Sequence, residues 1–247
     1  MTDKIVVLLK THKWSPDIEE FALKIMKETL PYSIDFFILM HTDDGSIYNK
    51  VVDENLKKLV IKVTENEVGK IYTNGFYNMW LSNHWILMWF FKKHGRSYRY
   101  YWSVEYDVRI VGNSKNIWQY DGTEDFLYVK GNVYLPKAKY SSYYIGNQLK
   151  ERQKRYGFLQ LARYSHNALT YLDKCYDSGE NGQDEMITYS LLHRENFIMS
   201  NSFLRKMVRG VWTWEEKYVE RNRIIYNYYK KMEDKLGDKV FIFHPIK

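Results

Sequence analysis

Cysteine is almost missing from this chain. Its one thiol, Cys175, excludes an internal disulfide and fits a reducing compartment, and no Cys/His spacing supports zinc. The common phosphate loops are missing as well. No G-x-x-x-x-G-K-[ST], G-x-G-x-x-G or G-x-S-x-G occurs among the 13 glycines, so a carboxylate-held metal is the remaining simple way to bind a diphosphate. No apolar run is long enough to cross a bilayer, since the most apolar segment, 79–91, is short and carries Asn83 and His84. The first ten residues, MTDKIVVLLK, hold too short an apolar run for a signal peptide, and Lys10 interrupts it. No repeat, low-complexity tract or Gly/Ser-rich linker divides the 247 residues. The expectation is one compact cytoplasmic domain.

Aromatic side chains and positive charge are plentiful. Aromatics make up 17% of the residues, with 23 Tyr and 8 Trp, and the net charge is +7. Such a charge suits an anionic partner: nucleic acid, a membrane surface or a phosphate-bearing small molecule. The basic residues are scattered, apart from Lys150 to Arg155, which reads as a solvated helix face.

The apolar pattern predicts an α/β chain that opens with a β-α-β unit. Ile5 to Leu9 reads as a buried strand followed by Lys10, Thr11, His12 and Lys13. Ser15 as N-cap, Pro16 at the first helical position and Asp17 near the positive end start a helix that Pro31 ends. Ser33 to Met40 is a second strand, with His41, Thr42, Asp43 and Asp44 at its end. Parallel sheets bind ligands at this carboxyl edge. A helix and a short strand are expected within 53–70, and a helix apolar nearly all round over 79–93. Further helices are expected over 158–175, from Asp184 onward, and from a Thr213–Glu216 capping box to Gly237. Strands are expected at 126–129 and 240–243, and a tyrosine-rich loop at 134–146.

Residues 100–113, YYWSVEYDVRIVGN, read as an apolar strand ending in two acids. Period-two alternation puts Glu105 and Asp107 on one face, with Tyr106 opposite. Two such carboxylates are hard ligands for Mg²⁺ or Mn²⁺. Neutralisation of both acids by Arg109 on a polar strand face explains the same spacing equally well.

This order of elements, ending in EYDV, resembles nucleotide-sugar glycosyltransferases of the GT-A fold. The strings WSVEYDVRIVGN, GQDE before a helix, and the terminal HPIK look most like small enzymes of this kind from large DNA viruses of algae. The resemblance implies a mixed, mainly parallel central sheet flanked by helices. Residues 1–113 would form a nucleotide-binding half and 114–247 an acceptor half. It also implies Mn²⁺ or Mg²⁺ held by Glu105, Asp107 and His244. Here Glu105 departs from the common D-x-D. Thr11, His12, Asp43, Asp44 and Lys247 would contact a nucleotide-sugar donor, with a UDP-sugar favoured. Asp184 and Glu185 match the place of a catalytic carboxylate in inverting members. The activity implied is sugar transfer to a glycan, glycoprotein or other hydroxyl acceptor, in the host cytoplasm if the protein is viral.

Plainer roles exist for these residues: Asp184 as a helix cap, and His244 as a histidine satisfied by backbone at a strand end. Trp212, Trp214 and the tyrosine-rich loop suit stacking on sugar rings, although most aromatics in such a chain pack in the core. Two competing functions share the same features. One is a nucleic-acid-binding protein using a basic, aromatic surface. The other is a nucleotidyltransferase or glycoside hydrolase using the same carboxylates.

Overall fold

The computed structural model describes residues 4–95, 97–134 and 149–247. Its strands are β1 (Ile5–Thr11), β2 (Asp35–His41), β3 (Val60–Val63), β4 (Tyr100–Glu105), β5 (Arg109–Val111), β6 (Phe126–Tyr128), β7 (Gly131–Tyr134), β8 (Arg155–Gly157), β9 (Leu161–Ser165), β10 (Met199–Ser200) and β11 (Phe241–Phe243). The α-helices are α1 (Pro16–Thr29), α2 (Glu54–Leu59), α3 (Glu65–Gly69), α4 (His84–Lys93), α5 (Lys115–Trp118), α6 (His166–Asp177), α7 (Asp184–Arg194), α8 (Ser202–Arg205) and α9 (Val219–Lys231).

Seven strands form the central sheet in the order β10-β6-β9-β4-β1-β2-β3. It is parallel except where β9 runs antiparallel between β4 and β6. The mixed, mainly parallel α/β sheet expected from the sequence is therefore present. Both of its faces are covered. Val6, Leu8 and Tyr101 face α4, α6 and α7, whereas Val7, Leu9, Trp102 and Val104 pack with α1 and α5. A strand buried on both sides must be apolar at successive positions, which is why IVVLL reads as a run and not as an alternation.

The opening unit follows the sequence closely. Ser15 accepts from the Ile18 amide at 3.4 Å, Pro16 is the first helical residue, and Ile18, Phe21, Ala22 and Ile25 form the buried stripe. From β1 the chain crosses to β2 on one side and later returns to β4 on the other. A crevice therefore opens beyond the carboxyl ends of β1 and β4, the position where open α/β sheets bind ligands.

Five elements differ from the sequence pattern. The apolar helix begins at His84, and 79–83 form a turn that leaves the Trp80 ring 84% exposed. The stretch 158–175 divides into β9 and α6, because Arg163 is satisfied inside the sheet. Its guanidinium donates to the Tyr120, Gly122 and Glu124 carbonyls at 2.7, 2.6 and 3.1 Å and lies over the Tyr100 ring. Thr213 accepts from the Glu215 amide, and α9 starts later, at Val219. The acidic stretch is not one strand: β4 stops at Glu105, residues 106 and 107 turn, and β5 pairs with β11 in a separate two-stranded sheet. The Lys150–Arg155 run is a 3₁₀ turn leading into β8 and not a helix face. Of the tyrosine-rich loop, 135–146 lie outside the described residues.

Candidate metal and sugar-transfer site

The crevice at the β1/β4 switch is a cleft of about 1280 Å³. Every residue singled out above for chemistry lines it: Thr11, His12, Asp43, Asp44, Glu105, Asp107, Asp184, Glu185, His244 and Lys247. They arrive from five separate parts of the chain.

Glu105 is the last residue of β4 and pairs in register with Lys10 of β1. Lys10 is buried and its Nζ lies 3.5 Å from Glu105 Oε1, while Asn83 Nδ2 donates to the same oxygen at 2.7 Å. Asp107 sits in the turn that follows, and the antiparallel β5–β11 pairing carries His244, next after β11, to its side. His244 Nε2 stands 3.4 Å from Asp107 Oδ1. The backbone locks the arrangement, since the Ile246 amide donates to the Asp107 carbonyl at 2.8 Å. The convergence of the two acids thus comes from a turn and a returning strand, not from strand alternation.

One ligand atom from each of Glu105, Asp107 and His244 lies within 4.8 Å of the others. Among the described residues, Asp107 Oδ1 is buried with only the 3.4 Å contact to His244 Nε2, and His244 Nδ1 is buried with no hydrogen-bond partner. Unmet polar atoms in such a place are costly unless something binds them. Two carboxylates and an imidazole form a donor set that suits Mn²⁺ or Mg²⁺, so these residues fit the ion. Burial pushes the Asp107 carboxyl up, but His244 and Lys247 more than offset it and hold the group below its ordinary value. Burial raises Glu105, and the attraction of Lys10 only partly counters this. Arg109 does not neutralise the pair. Among the described residues it makes no salt bridge to either acid, and its Nη1 donates to the Tyr106 and Val108 carbonyls at 2.6 and 2.8 Å.

The start of α7 lines the same cleft. Burial raises the Asp184 carboxyl to about 7, and Glu185 is also raised well above its ordinary value by burial and by Asp184. Asp184 Oδ1 accepts from the Glu185 amide at 2.7 Å and from Gln183 Nε2 at 2.8 Å. Asp184 is thus the first residue of α7, behind a Gln183 N-cap whose side chain makes no capping bond, and it lines the cleft. Glu185 Oε1 accepts from Gln160 Nε2 at 2.9 Å, and Gln160 Oε1 accepts from Trp212 Nε1 at 3.3 Å. The Trp212 ring in turn packs 5.1 Å from His244, linking the two acidic centres through side chains.

The remaining residues line the cleft with different freedom. The Thr11 hydroxyl is engaged with Lys13 in a tight turn. His12 packs edge-on against Tyr106 at 4.8 Å, and burial and then Lys13 lower its pKa. Asp43 accepts from the Glu65 amide at 3.1 Å, and Asp44 accepts from the Ser46 amide at 2.9 Å, so both shape the loop after β2. A second acid–histidine group, His41, Asp43 and Glu65, is looser, with His41 Nε2 3.8 Å from the largely exposed Asp43. Sequence reasoning gave no role to Lys10, Asn83 or Gln160. A lysine closing an apolar strand was a signal for the first, whereas Gln160 was hidden inside an expected helix.

The His244 strand end is held by fully buried Asn222. Its side chain accepts from the Val211 amide and donates to the Val211 and His244 carbonyls, each at 2.9 Å. Asn222→Ala leaves those groups unmet in the interior. It should cost roughly 2–3 kcal/mol by chemical denaturation and weaken Mn²⁺ binding in parallel.

No protein-family model matches the chain, and no curated protein resembles it at the sequence level. Its similarity is to solved structures. The bifunctional glycosyltransferase WbbM overlaps 98% of this chain at 9% identity with a TM-score of 0.50, and the chain spans only 46% of WbbM's length. The galactosyltransferase LgtC, solved with donor and acceptor sugar analogues, overlaps 77% of this chain and 70% of its own at 8% identity and TM-score 0.43. The inositol-1-phosphate CTP transferase of T. maritima overlaps 80% and 84% at 9% identity and TM-score 0.42. Identities this low concern the fold alone. That fold is the GT-A arrangement, with its seven-stranded, mostly parallel sheet between helices.

Proposed function

We propose that this chain is a metal-dependent glycosyltransferase that moves a sugar from a nucleoside-diphosphate donor, UDP-linked by preference, to a hydroxyl of a glycan acceptor, with inversion. One observation carries the reading. Three candidate cation ligands and a pair of raised carboxyls line one cleft at the sheet's switch point.

In this reading Glu105, Asp107 and His244 hold Mn²⁺ or Mg²⁺, which when bound neutralises charge on the leaving diphosphate. Lys247 meets a phosphate oxygen. Thr11, His12, Asp43 and Asp44 contact the nucleoside. Residues 1–113 thus carry the donor and 114–247 the acceptor, with His244 and Lys247 returning to the donor side. An acceptor hydroxyl attacks the anomeric carbon as the bond to the diphosphate oxygen breaks, and its proton passes to Asp184 or Glu185. A carboxyl raised to about 7 suits that transfer near neutrality. Gln160 orients Glu185 for the same task.

The experiment is thermal denaturation with UDP, Mn²⁺, both or neither. Saturation at a hundredfold over the dissociation constant adds about 2.7 kcal/mol, or about 5–10 °C for a chain this long. The shift should need both components together. A melting temperature that ignores the pair sinks the proposal, and is the behaviour expected of a nucleic-acid binder.

A further inference from the structure

The cleft exposes two tryptophans from different elements. Trp80 is 84% exposed and Trp214 58% exposed, and both line the cavity. The other aromatics of 79–93 lie in the core, including Trp85, Trp89, Phe90 and Phe91. Leaving two large rings in water at the rim of a cavity forgoes burial that this aromatic-rich chain achieves elsewhere.

Neither ring is loosely attached. The turn carrying Trp80 is closed by Asn78 Oδ1, which accepts from the Trp80 and Leu81 amides at 3.0 and 2.9 Å. The Leu81 carbonyl accepts from the Asp184 amide at 2.9 Å, so this turn is bonded directly to the helix start bearing both raised carboxyls. Trp214 lies two residues beyond Trp212, whose indole donates to Gln160 and packs on His244. The same cleft is lined by the acids Glu216, Asp184 and Glu185 and the amides Gln160 and Gln183. The cations Lys10 and Lys247 belong to the strand ends that face the proposed donor.

We infer that Trp80 and Trp214 form an acceptor subsite for an uncharged sugar ring. Its apolar C–H face stacks on indole and its hydroxyls meet the acids and amides beside them. Stacking of this kind offers a uronic or phosphorylated sugar no counter-charge, which favours an uncharged ring. The inference rests on the sugar-transfer reading of the cleft and narrows its acceptor to a neutral glycan.

The test is saturation-transfer NMR on the intact protein with UDP and Mn²⁺ present. The probes are lactose, cellobiose, maltose and their methyl glycosides, with glucuronic acid beside them. At least one neutral saccharide should receive saturation and glucuronic acid should not. Trp80→Ala and Trp214→Ala should each weaken that saccharide about tenfold while leaving UDP–Mn²⁺ affinity unchanged, and Trp80→Phe should retain most of the binding. The subsite is overturned if no neutral saccharide binds while UDP–Mn²⁺ still raises the melting temperature. It is equally overturned if both alanine variants bind sugar normally, or if they weaken UDP, which would make the rings a base platform. Loss of the UDP–Mn²⁺ shift in the unaltered protein is a different failure, that of the transferase reading itself.

Discussion

Asp107→Asn removes Mn²⁺-dependent UDP binding while leaving the protein folded. The substitution keeps the shape of the side chain but takes away the charge of an acid held below its ordinary range. Among the described residues its Oδ1 has only the 3.4 Å contact to His244 Nε2, which an amide oxygen can keep, so little packing or bonding is lost. Affinity for UDP with Mn²⁺ should fall by about a hundredfold or more in isothermal titration, since even partners of metal ligands cost ten- to a hundredfold. Binding of UDP without the ion should change little. Unaltered affinity in the variant would remove Asp107 from the ligand set and leave the proposed donor site without its anchor.

The second large effect is at Asp184, where activity and stability should move in opposite directions. If this group takes the acceptor proton, Asp184→Asn lowers kcat by about a thousandfold with donor affinity intact. Glu185→Gln is the paired measurement, and the variant with the deeper loss identifies the base. In the unaltered enzyme kcat/KM should climb through about pH 7, because the base works only after losing its proton. Stability has the reverse slope. An aspartate titrates near 4 when unfolded and near 7 here, so between those values the folded state holds the extra proton. Stability therefore falls as pH rises across that window, by at most roughly 4 kcal/mol from this group. Asp184→Asn should flatten the decline between pH 5 and 8 and leave the variant more stable at pH 8. Glu105 and Glu185, raised in the same sense, keep part of the slope in place. A variant that loses activity but follows the parent's stability profile would mean that Asp184 is not the buried, proton-holding group described.

The sequence revealed most about segments whose local chemistry agrees with their surroundings. The opening β-α-β unit was readable because Ser15, Pro16 and an apolar run each point to the same element. Glu105 at the end of β4, Asp107 just after it and the histidine after β11 could be placed at strand ends, and all three line one cleft. The means by which they meet was not readable. The turn at 106–107 and the β5–β11 pairing depend on contacts between segments far apart in sequence, which no local period encodes. Arg163 shows the same limit from the other side. Helical spacing of Leu161, Ala162 and Ala168 outweighed a strand whose central cation finds its carbonyls only once the sheet exists. Trp80 was assigned to the core because its neighbours belong there, yet the helix starts after it.

The pairing of β5 with β11 joins residues more than a hundred positions apart, and the candidate ligand His244 follows directly after it. Contacts of such long range carry a high loop-closure cost and form late. On refolding, helical dichroism should recover before the protein can capture manganese. Ion uptake would then act as a clock for the last step of assembly.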